Sequence, residues 1–426
     1  MKRLITMLLC ALTIAASAQS ITLDECIGMA RENYPLIKRY GLIERTARID
    51  LSDISKSWLP QIGVYAQGTV QNDVPGFPDE MLPMLAELGV GMPGIRKDQY
   101  KVGLDVSQTI WDGGKSKADR EVIQADAKVQ ATANDVELYA VEERVQDLFF
   151  AILLVEAQVE QNELTAKLLQ SNLARLRSMF ANGTAMQSDV DVVEAEYLTV
   201  MQNTIRLKGN TESYRRMLEL FIASPLEGKS LECLPAEIPG NLQPDRPELW
   251  RFDAELAKIE SQRRQVTTST MPKIGLFAQA YYGYPGYDYF QSMMSRDWSF
   301  NVMGGIKISW TIDAFYTKKN KSSKLSLAGK NVETSRDVFL FNTNLTSVQK
   351  QTDIRQQQAV LAEDARIVEL RTSVRKAAES RLANGVIDTT DLLGKITDEA
   401  TAAINAAYHK IELIKTVYQL KYTLNR

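Results

Sequence analysis

Few side chains in this sequence have the types and spacing that enzymes use for catalysis. His409 is the only histidine among 426 residues, and we expect a lone exposed or packed side chain in a helical stretch. The turn Asp112-Gly113-Gly114-Lys115-Ser116 lacks the first glycine of a phosphate-binding loop. Adjacent acids such as Glu142-Glu143 and Glu363-Asp364 lie on strongly polar helix faces, where solvated charges are expected. The sequence therefore predicts no enzyme and neither a cofactor nor a metal site.

The chain instead repeats itself at long range. Three segments recur in the same order roughly 200 residues later: 59–67 as 271–279, 106–110 as 308–312, and Ala181-Asn182-Gly183 as Ala383-Asn384-Gly385. The last two pairs share an offset of 202 residues. Such fixed-order similarity implies two copies of one structural unit. We predict repeats over residues 19–225 and 226–426, each in the order helix, strand, strand, helix, turn, helix.

Four segments alternate apolar and polar residues with the period of two that indicates a β-strand. They span residues 58–71, 100–112, 270–282 and 298–312. Aromatic residues mark the ends of these segments: Trp58, Tyr100, Trp111, Tyr282, Trp298 and Trp310. Elaborate loops of unequal length, residues 72–99 and 283–297, join the strands of each pair. Strands of about ten residues with apolar outer faces and long loops on one side are typical of a transmembrane β-barrel.

Alternation alone fits a soluble sheet as well, because one face of such a sheet is also buried. Asp105 and Lys307 on the polar faces favour a water-filled lumen. Four strands cannot form a closed barrel, since about eight is the smallest number that packs its interior. A membrane-spanning monomer would leave two sheet edges in lipid, which is not tolerated. A trimer, with twelve strands, would remove both edges.

Each repeat also predicts a long helical hairpin. Residues 115–224 lack proline, and apolar residues recur in steps of four and three from Val141 to Phe180. This spacing is a coiled-coil seam with one polar member, Asn162. Gly183 and Gly385 are suited to end the first helix of each hairpin. Candidate N-caps for the returning helices are Thr184, Ser188, Thr389 and Thr390. The first long helix of the second repeat is more polar, so part of it is expected to face water.

The N-terminus predicts a secretory signal peptide over residues 1–18. Lys2 and Arg3 precede an apolar stretch, and Ala16-Ser17-Ala18 fits a cleavage site. The apolar run is too short for a membrane anchor, and Cys10 lacks the small residues that usually precede a lipidated cysteine. The 50 basic and 53 acidic residues form no basic cluster, which gives nucleic-acid binding no support.

Cys26 and Cys233 are the cysteines of the predicted mature chain. In an oxidising compartment they could form a disulfide, and two unpaired buried thiols are an equally good interpretation. Each lies near the start of its repeat, before the strands, so the two could meet. A bridge closing a loop of about 200 residues would stabilise the fold by a few kcal/mol on the chain-entropy model.

These features together resemble the TolC family of outer-membrane efflux proteins. The resemblance rests on the strand entry Leu59-Pro60-Gln61, the corner Ile110-Trp111-Asp112-Gly113-Gly114, the opening residues 22–35, both Asn-Gly tips, and the acids six positions after the tip glycines, Asp189 and Asp391. Each motif is weak alone, but they occur in the family's order over essentially the whole mature chain.

The resemblance implies a mainly α-helical homotrimer whose twelve-stranded transmembrane β-barrel continues into a long α-helical periplasmic tunnel. The protein would be the outer-membrane channel of a tripartite efflux or type I secretion system, a passive aqueous exit path without a cofactor. Its partners would be a periplasmic adaptor and an inner-membrane pump. The resemblance makes Asp391 and Asp189 candidates for a periplasmic gate. It also assigns adaptor contact to six tip residues: Asn182, Gly183, Thr184, Asn384, Gly385 and Val386.

The sequence departs from the family pattern near this gate. Gly394 stands where a second acidic residue is often found, and Ile387 where a basic residue sometimes occurs. We therefore expect a gate with fewer charges, whose closed-state bonds differ from those of the family. The main alternative is a soluble periplasmic coiled-coil adaptor or scaffold, which would share the long hairpins. Such a protein would not need four strands with aromatic-flanked apolar faces.

Overall fold

The computed structural model describes residues 20–92, 94–235 and 237–425. The predicted signal peptide lies outside this part. The strands are β1 (Ser20–Thr22), β2 (Gln61–Val70), β3 (Asp98–Trp111), β4 (Ser230–Glu232), β5 (Lys273–Tyr284) and β6 (Ser299–Ser309). The helices are α1 (Leu23–Asn33), α2 (Ile37–Lys56), α3 (Leu82–Glu87), α4 (Lys115–Ala181), α5 (Gln187–Ile222), α6 (Pro247–Thr268), α7 (Tyr289–Met294), α8 (Ala314–Ala383) and α9 (Thr389–Leu424). All four predicted long strands are present, with ends within three residues of those expected.

The chain forms two compact units, each drawing on both predicted repeats. The first, a helical unit, contains the described residues up to Tyr40, Ala131–Arg251 and those from Thr334 onward. The second, a sheet unit, contains Gly41–Gln130 and Phe252–Glu333. The repeats divide the chain by sequence similarity rather than by compactness, and their boundary at residues 225 and 226 stays a prediction.

The sheet unit is organised around an antiparallel sheet in the order β2-β3-β5-β6. Val64 pairs with Leu104, Leu104 with Ala280, and Ala280 with Val302, so apolar residues of all four strands share one face. The central pairing, β3 with β5, joins the last strand of the first repeat to the first strand of the second. A register shift between Thr109 and Trp111 places Trp111 opposite Ile274.

The helical unit buries much of the coiled-coil seam predicted for α4. Val141, Val145 and Ile152 of this seam pack in one core cluster with Phe149 of α4, Leu218 of α5 and Tyr418 of α9. Phe180, at the end of the predicted seam, is exposed instead. None of the helices in the described part combines the length and apolarity needed to cross a membrane.

A second core cluster joins the two hairpins close to their turns. Leu173 of α4 and Val193 of α5 pack there with Ala378 of α8, and with Leu392 and Ile396 of α9. All four long helices thus contribute to one apolar cluster. This cluster fixes the two turns, and the residues that follow them, on a packed support.

Candidate functional site

The four-stranded sheet exposes its apolar face and covers part of its polar face. Five aliphatic side chains of this face are between 62% and 78% exposed: Ile62, Val64, Val302, Ile306 and Ile308. On the opposite face, Gln99, Tyr281 and Asn301 are between 3% and 8% exposed. A sheet in a water-soluble protein buries its apolar face. The arrangement in this chain is therefore reversed.

Aromatic side chains border the exposed apolar face at both ends of the strands. Tyr100, Tyr282 and Trp298 lie at the end that carries the long loops, and the rings of the last two are 5.5 Å apart. Trp111 and Trp310 lie at the other end. About ten residues separate the two groups, which is roughly 33 Å along a strand. At the usual strand tilt this corresponds to a height of about 25 Å, as in the apolar band of outer-membrane barrels.

The polar face carries the charged residues that the sequence places there. The amide of Gln279 donates a hydrogen bond of 2.7 Å to the carboxylate of Asp105. Asp105 and Lys307 line one groove of about 500 Å³ on this face. Nearer the loops, the ammonium group of Lys101 lies 4.8 Å from the ring centroid of Tyr281. The face therefore offers both signs of charge to water or to a polar solute.

The two helical hairpins turn in the same way. In each, the N–H of the glycine donates to the carbonyl three residues earlier, and the N–H of the next residue donates to the carbonyl five residues earlier, at 2.9–3.0 Å. The bonded pairs are Gly183–Phe180, Thr184–Met179, Gly385–Leu382 and Val386–Arg381. These bonds define the Schellman motif, which needs a left-handed residue, and both glycines have φ above +70°. The predicted helix ends are confirmed.

The six predicted tip residues are all exposed at these turns. The side-chain amides of Asn182 and Asn384 each donate to the carbonyl four residues earlier, at 2.9 Å and 2.8 Å. The asparagines thus satisfy the last carbonyls of their own helices. Contact of this surface with an adaptor stays a prediction.

The two predicted gate residues have different environments. The carboxylate of Asp189 accepts a 2.9 Å hydrogen bond from the N–H of Met186, the N-cap residue of α5. At the start of α9, the carboxylate of Asp388 is the cap and accepts from the N–H of Asp391 at 2.7 Å. The carboxylate of Asp391 is exposed and has no hydrogen-bond partner within the described ranges. Asp391 is therefore the less constrained of the two acids.

The N-caps predicted from the sequence are wrong. The expected residues were Thr184, Ser188, Thr389 and Thr390, whereas Met186 and Asp388 occupy the N-cap positions. In the first hairpin the hydroxyl of Thr184 instead donates to the carbonyl of Met179 at 3.0 Å, as part of the preceding helix end. Each returning helix has its N-cap one or two residues away from the predicted ones, so none of the predicted residues is the N-cap.

His409, expected as a lone residue, has a buried acidic partner. Its Nδ1 lies 2.9 Å from Oδ2 of Asp364, which joins α9 to α8. Asp364 is 6% exposed, so the contact is largely shielded from water. Asp364 lies 202 residues after Asn162, the polar member of the predicted seam. That offset marks Asp364 as the polar position of the second hairpin, but it does not identify His409 as the partner of Asp364.

Cys26 and Cys233 lie in the same region of the helical unit. Cys26 is fully buried in the core cluster that contains Phe149, and Cys233 packs against that cluster. The parallel pairing of β1 with β4 brings the two chain segments together, with Thr22 opposite Glu232. Both cysteines are free thiols in the structure. Burial raises the pKa of the Cys26 thiol to about 12 and that of the Cys233 thiol to about 11.

Helix α8 carries a row of apolar side chains with little cover from its own chain. Val338, Phe341, Leu345 and Val348 follow one another in steps of three and four, and each is between 54% and 64% exposed. Steps of three and four place residues on one helix face. We call these four residues the α8 stripe. The sequence predicts that part of this helix faces water because it is polar, whereas the residues of this exposed row are apolar.

Comparison with known protein families identifies a match in the first part of the chain. Residues 27–223 match the model of the family described as outer membrane efflux protein. No curated protein matches the chain. The family match covers most of the predicted first repeat, including β2, β3, α4 and α5.

Several solved outer-membrane proteins share the fold. The outer-membrane protein VceC of Vibrio cholerae is 12% identical with a TM-score of 0.67, and the match covers 94% of this chain and 95% of VceC. The outer-membrane channel OprN is 16% identical with a TM-score of 0.67, over 94% and 89% of the two chains. The CmeC outer-membrane channel of Campylobacter jejuni is 13% identical with a TM-score of 0.65, over 94% and 85%.

These matches confirm the resemblance to TolC-like outer-membrane efflux proteins. OprN and CmeC are outer-membrane channels and VceC is an outer-membrane protein, in agreement with the outer-membrane location predicted for this chain. Among the described residues, no cluster of histidine, cysteine and acidic side chains could hold a metal ion.

Proposed function

We propose that this chain is the outer-membrane channel of a tripartite efflux or type I secretion system. It would give solutes a passive aqueous path from the periplasm to the exterior. The reversed sheet carries this proposal. Five aliphatic side chains that are mostly exposed in the single chain would be solvated by lipid, and the polar face would then line a water-filled lumen.

The same observation disfavours the soluble adaptor or scaffold. A soluble protein would leave this apolar face and both groups of aromatic residues in water, at a cost of about 25 cal/mol for each Å² of apolar surface. Large exposed apolar patches on soluble proteins mark surfaces that are covered by something else. Within this proposal, the covering medium is the hydrocarbon of the outer membrane.

The functional form would be a homotrimer. β2 and β6 are the edge strands of the sheet, and each has one side that is unpaired within the described part of the chain. Open edges are not tolerated in lipid, and pairing β2 of one copy with β6 of the next removes every edge. Three copies then give the twelve-stranded barrel. The α8 stripe also supports a homotrimer, because a row of apolar residues at coiled-coil spacing can pack against a helix of another copy.

The two hairpin tips would meet the periplasmic adaptor, and an inner-membrane pump would supply the energy. Around the threefold axis, three copies of Asp391, and of Asp189, would place carboxylates close together at the periplasmic end. Like charges at short range attract cations and repel one another. The exposed Asp391 is better suited to this role than Asp189, whose carboxylate already caps α5.

The two cysteines would form a disulfide in the oxidising periplasm. Their position in one core cluster supports the pairing. A thiol with a raised pKa is a poor nucleophile, so the bond would have to form before the core closes around Cys26. The intact mass of the exported protein should be lower than that of the reduced chain by the mass of two hydrogens. A mass that corresponds to two free thiols would contradict the pairing.

Membrane extraction followed by mass measurement tests the proposed function. The full chain should stay with the outer membrane in high salt, leave it only in detergent, and have the mass of a trimer in detergent. Release by salt or carbonate alone would favour the soluble adaptor. A folded monomer in detergent would contradict both the barrel and the tunnel.

A further inference from the structure

The loop between β5 and β6 folds over the polar face of the sheet. Tyr287 of this loop packs against Tyr281 of β5, with ring centroids 5.2 Å apart and planes at 85°. The hydroxyl of Tyr287 lies 3.4 Å from the amide oxygen of Gln279. Tyr281 and Gln279 both belong to the polar face, since Gln279 is bonded to Asp105 there. Tyr287 therefore covers part of the face that would line the lumen.

Hydrogen bonds attach the loop to both of its strands. The N–H of Tyr287 donates to the side-chain oxygen of Asn301 on β6 at 2.7 Å. The hydroxyl of Tyr281 on β5 donates to the carbonyl of Pro285 at 3.1 Å, in a buried position. A Cβ atom on Gly286 would lie 2.2 Å from the hydroxyl oxygen of Ser299, so the loop lies close against this side chain of β6. The inward position of the loop is thus built into the fold.

A glycine in β3 makes room for two tyrosines on this face. Gly103 pairs with Tyr65 of β2 on one side and with Tyr281 of β5 on the other. A Cβ atom on Gly103 would lie 2.8 Å from the ring of Tyr65 and 2.8 Å from Cβ of Tyr281. We call Tyr65, Tyr281 and Tyr287 the tyrosine cluster. It occupies the polar face of the sheet close to the end that carries the long loops.

We propose that the tyrosine cluster is a constriction that limits solute size at the outer end of the lumen, with Tyr287 as its innermost residue. The inference rests on the proposed trimeric barrel. Twelve strands about 4.8 Å apart and tilted by about 40° give a backbone radius of roughly 12 Å. Tyrosine side chains from three copies take up much of that radius. Pore diameter then sets which solutes pass this point.

Access from the outside to a cysteine below the cluster tests this constriction. Lys307 lies on the polar face, six residues along β6 from Asn301, which is roughly 20 Å further from the loops. The full chain with Lys307→Cys would be placed in the outer membrane of intact cells and exposed to membrane-impermeant maleimides of small and large cross-section. We expect the large reagent to label at least about tenfold more slowly than the small one.

Removing the ring should abolish this discrimination. With Tyr287→Ala added, the two labelling rates should differ by no more than about twofold. Tyr287→Phe should preserve the discrimination, since the constriction depends on the ring. Equal labelling rates with the original loop, or an unchanged ratio in Tyr287→Ala, would overturn the constriction.

Two controls separate the constriction from the barrel itself. Tyr289→Ala removes a ring from the same loop at a side chain that is 50% exposed, and it should leave the labelling ratio unchanged. Ile306→Cys, the neighbour of Lys307 on the opposite face, should resist both reagents because it would face lipid. If the small reagent labelled Ile306→Cys but not Lys307→Cys, the lumen assignment and the proposed function would fail. Trimer formation of each variant, checked on a gel, excludes misfolding as the cause.

Discussion

The two helical hairpins have the same local structure but differ in how they are packed. Their first helices have 67 and 70 residues, their second helices have 36 each, and both turns use the same hydrogen bonds. Val145 and Ile152 of α4 are fully buried, whereas Phe341 and Leu345 of α8 are more than half exposed. Similar sequence pattern and similar turns therefore do not determine where a helix lies within the protein. The seam of α4 is largely packed inside the chain, whereas the α8 stripe is exposed, and in the proposed trimer that stripe would face another copy.

The strongest test of this difference changes the α8 stripe. Replacing Phe341 and Leu345 together by glutamate should abolish trimer formation, because six buried carboxylates would be brought into the interfaces between copies without partners. Size-exclusion chromatography with light scattering in detergent would show the loss. Asn342→Glu with Thr346→Glu, at exposed polar positions that have the same spacing but are rotated away from the stripe by one residue, is the matched control and should remain a trimer. A trimer that survives the Phe341 and Leu345 changes would mean that the stripe lies outside the interface.

The second test concerns Asn162 and Asp364, the buried polar residues at corresponding positions of α4 and α8. In the second hairpin, His409→Leu would leave the buried carboxylate of Asp364 without its 2.9 Å partner. Leaving a buried acceptor without its hydrogen-bond partner should reduce the free energy of unfolding by about 1–3 kcal/mol. Leucine is the residue that the first hairpin has 202 positions earlier, at Leu207. Thermal unfolding in detergent would measure the change.

A double variant shows whether the contact itself is responsible. Asp364→Asn combined with His409→Leu should be more stable than His409→Leu alone, because a buried neutral amide costs less than an unpaired carboxylate. If the two changes were additive, the histidine and the aspartate would not be coupled. The second hairpin would then differ from the first only in its exposed face.

Replacing the buried polar residue of the first hairpin by leucine should raise the free energy of unfolding rather than lower it. The side-chain nitrogen of Asn162 is buried and has no hydrogen-bond partner in the described part of the chain. Asn162→Leu should therefore increase the free energy of unfolding by about 1 kcal/mol, since an unsatisfied buried donor is removed. The same thermal measurement applies. A loss of stability would indicate that this amide binds water or a neighbouring copy in the trimer.

The smallest effects on stability are expected near the two hairpin turns. One acid there should affect stability, and the other should affect ion selectivity. Asp189→Ala removes a cap contact of α5 and should cost about 0.5–1 kcal/mol. Asp391→Ala should leave stability unchanged, because Asp388 provides the cap of α9. In planar-bilayer recordings, Asp391→Ala should reduce cation selectivity and block by divalent cations. Unchanged selectivity in a folded Asp391→Ala trimer would reject Asp391 as a gate residue.

Much of the local structure could be predicted from the sequence. The period of two located all four long strands, and Gly183 and Gly385 marked the helix ends correctly because only a residue that tolerates positive φ suits that position. The N-caps were missed since several neighbouring residues could accept the same hydrogen bonds. Asp388 and Thr389, for example, both have a side-chain oxygen suited to an N-cap. Small differences in where a helix starts decide between them.

By itself, the sequence determined the elements and their order, because the period of apolar residues and the turn glycines act between neighbours in the chain. The tertiary structure decided which elements meet. It placed β3 beside β5, brought Asp364 to His409, and folded Tyr287 over Tyr281. It also buried the seam of α4 and left the stripe of α8 exposed. These outcomes depend on which apolar surfaces, distant in the sequence, pack against one another. A local sequence pattern does not determine that choice.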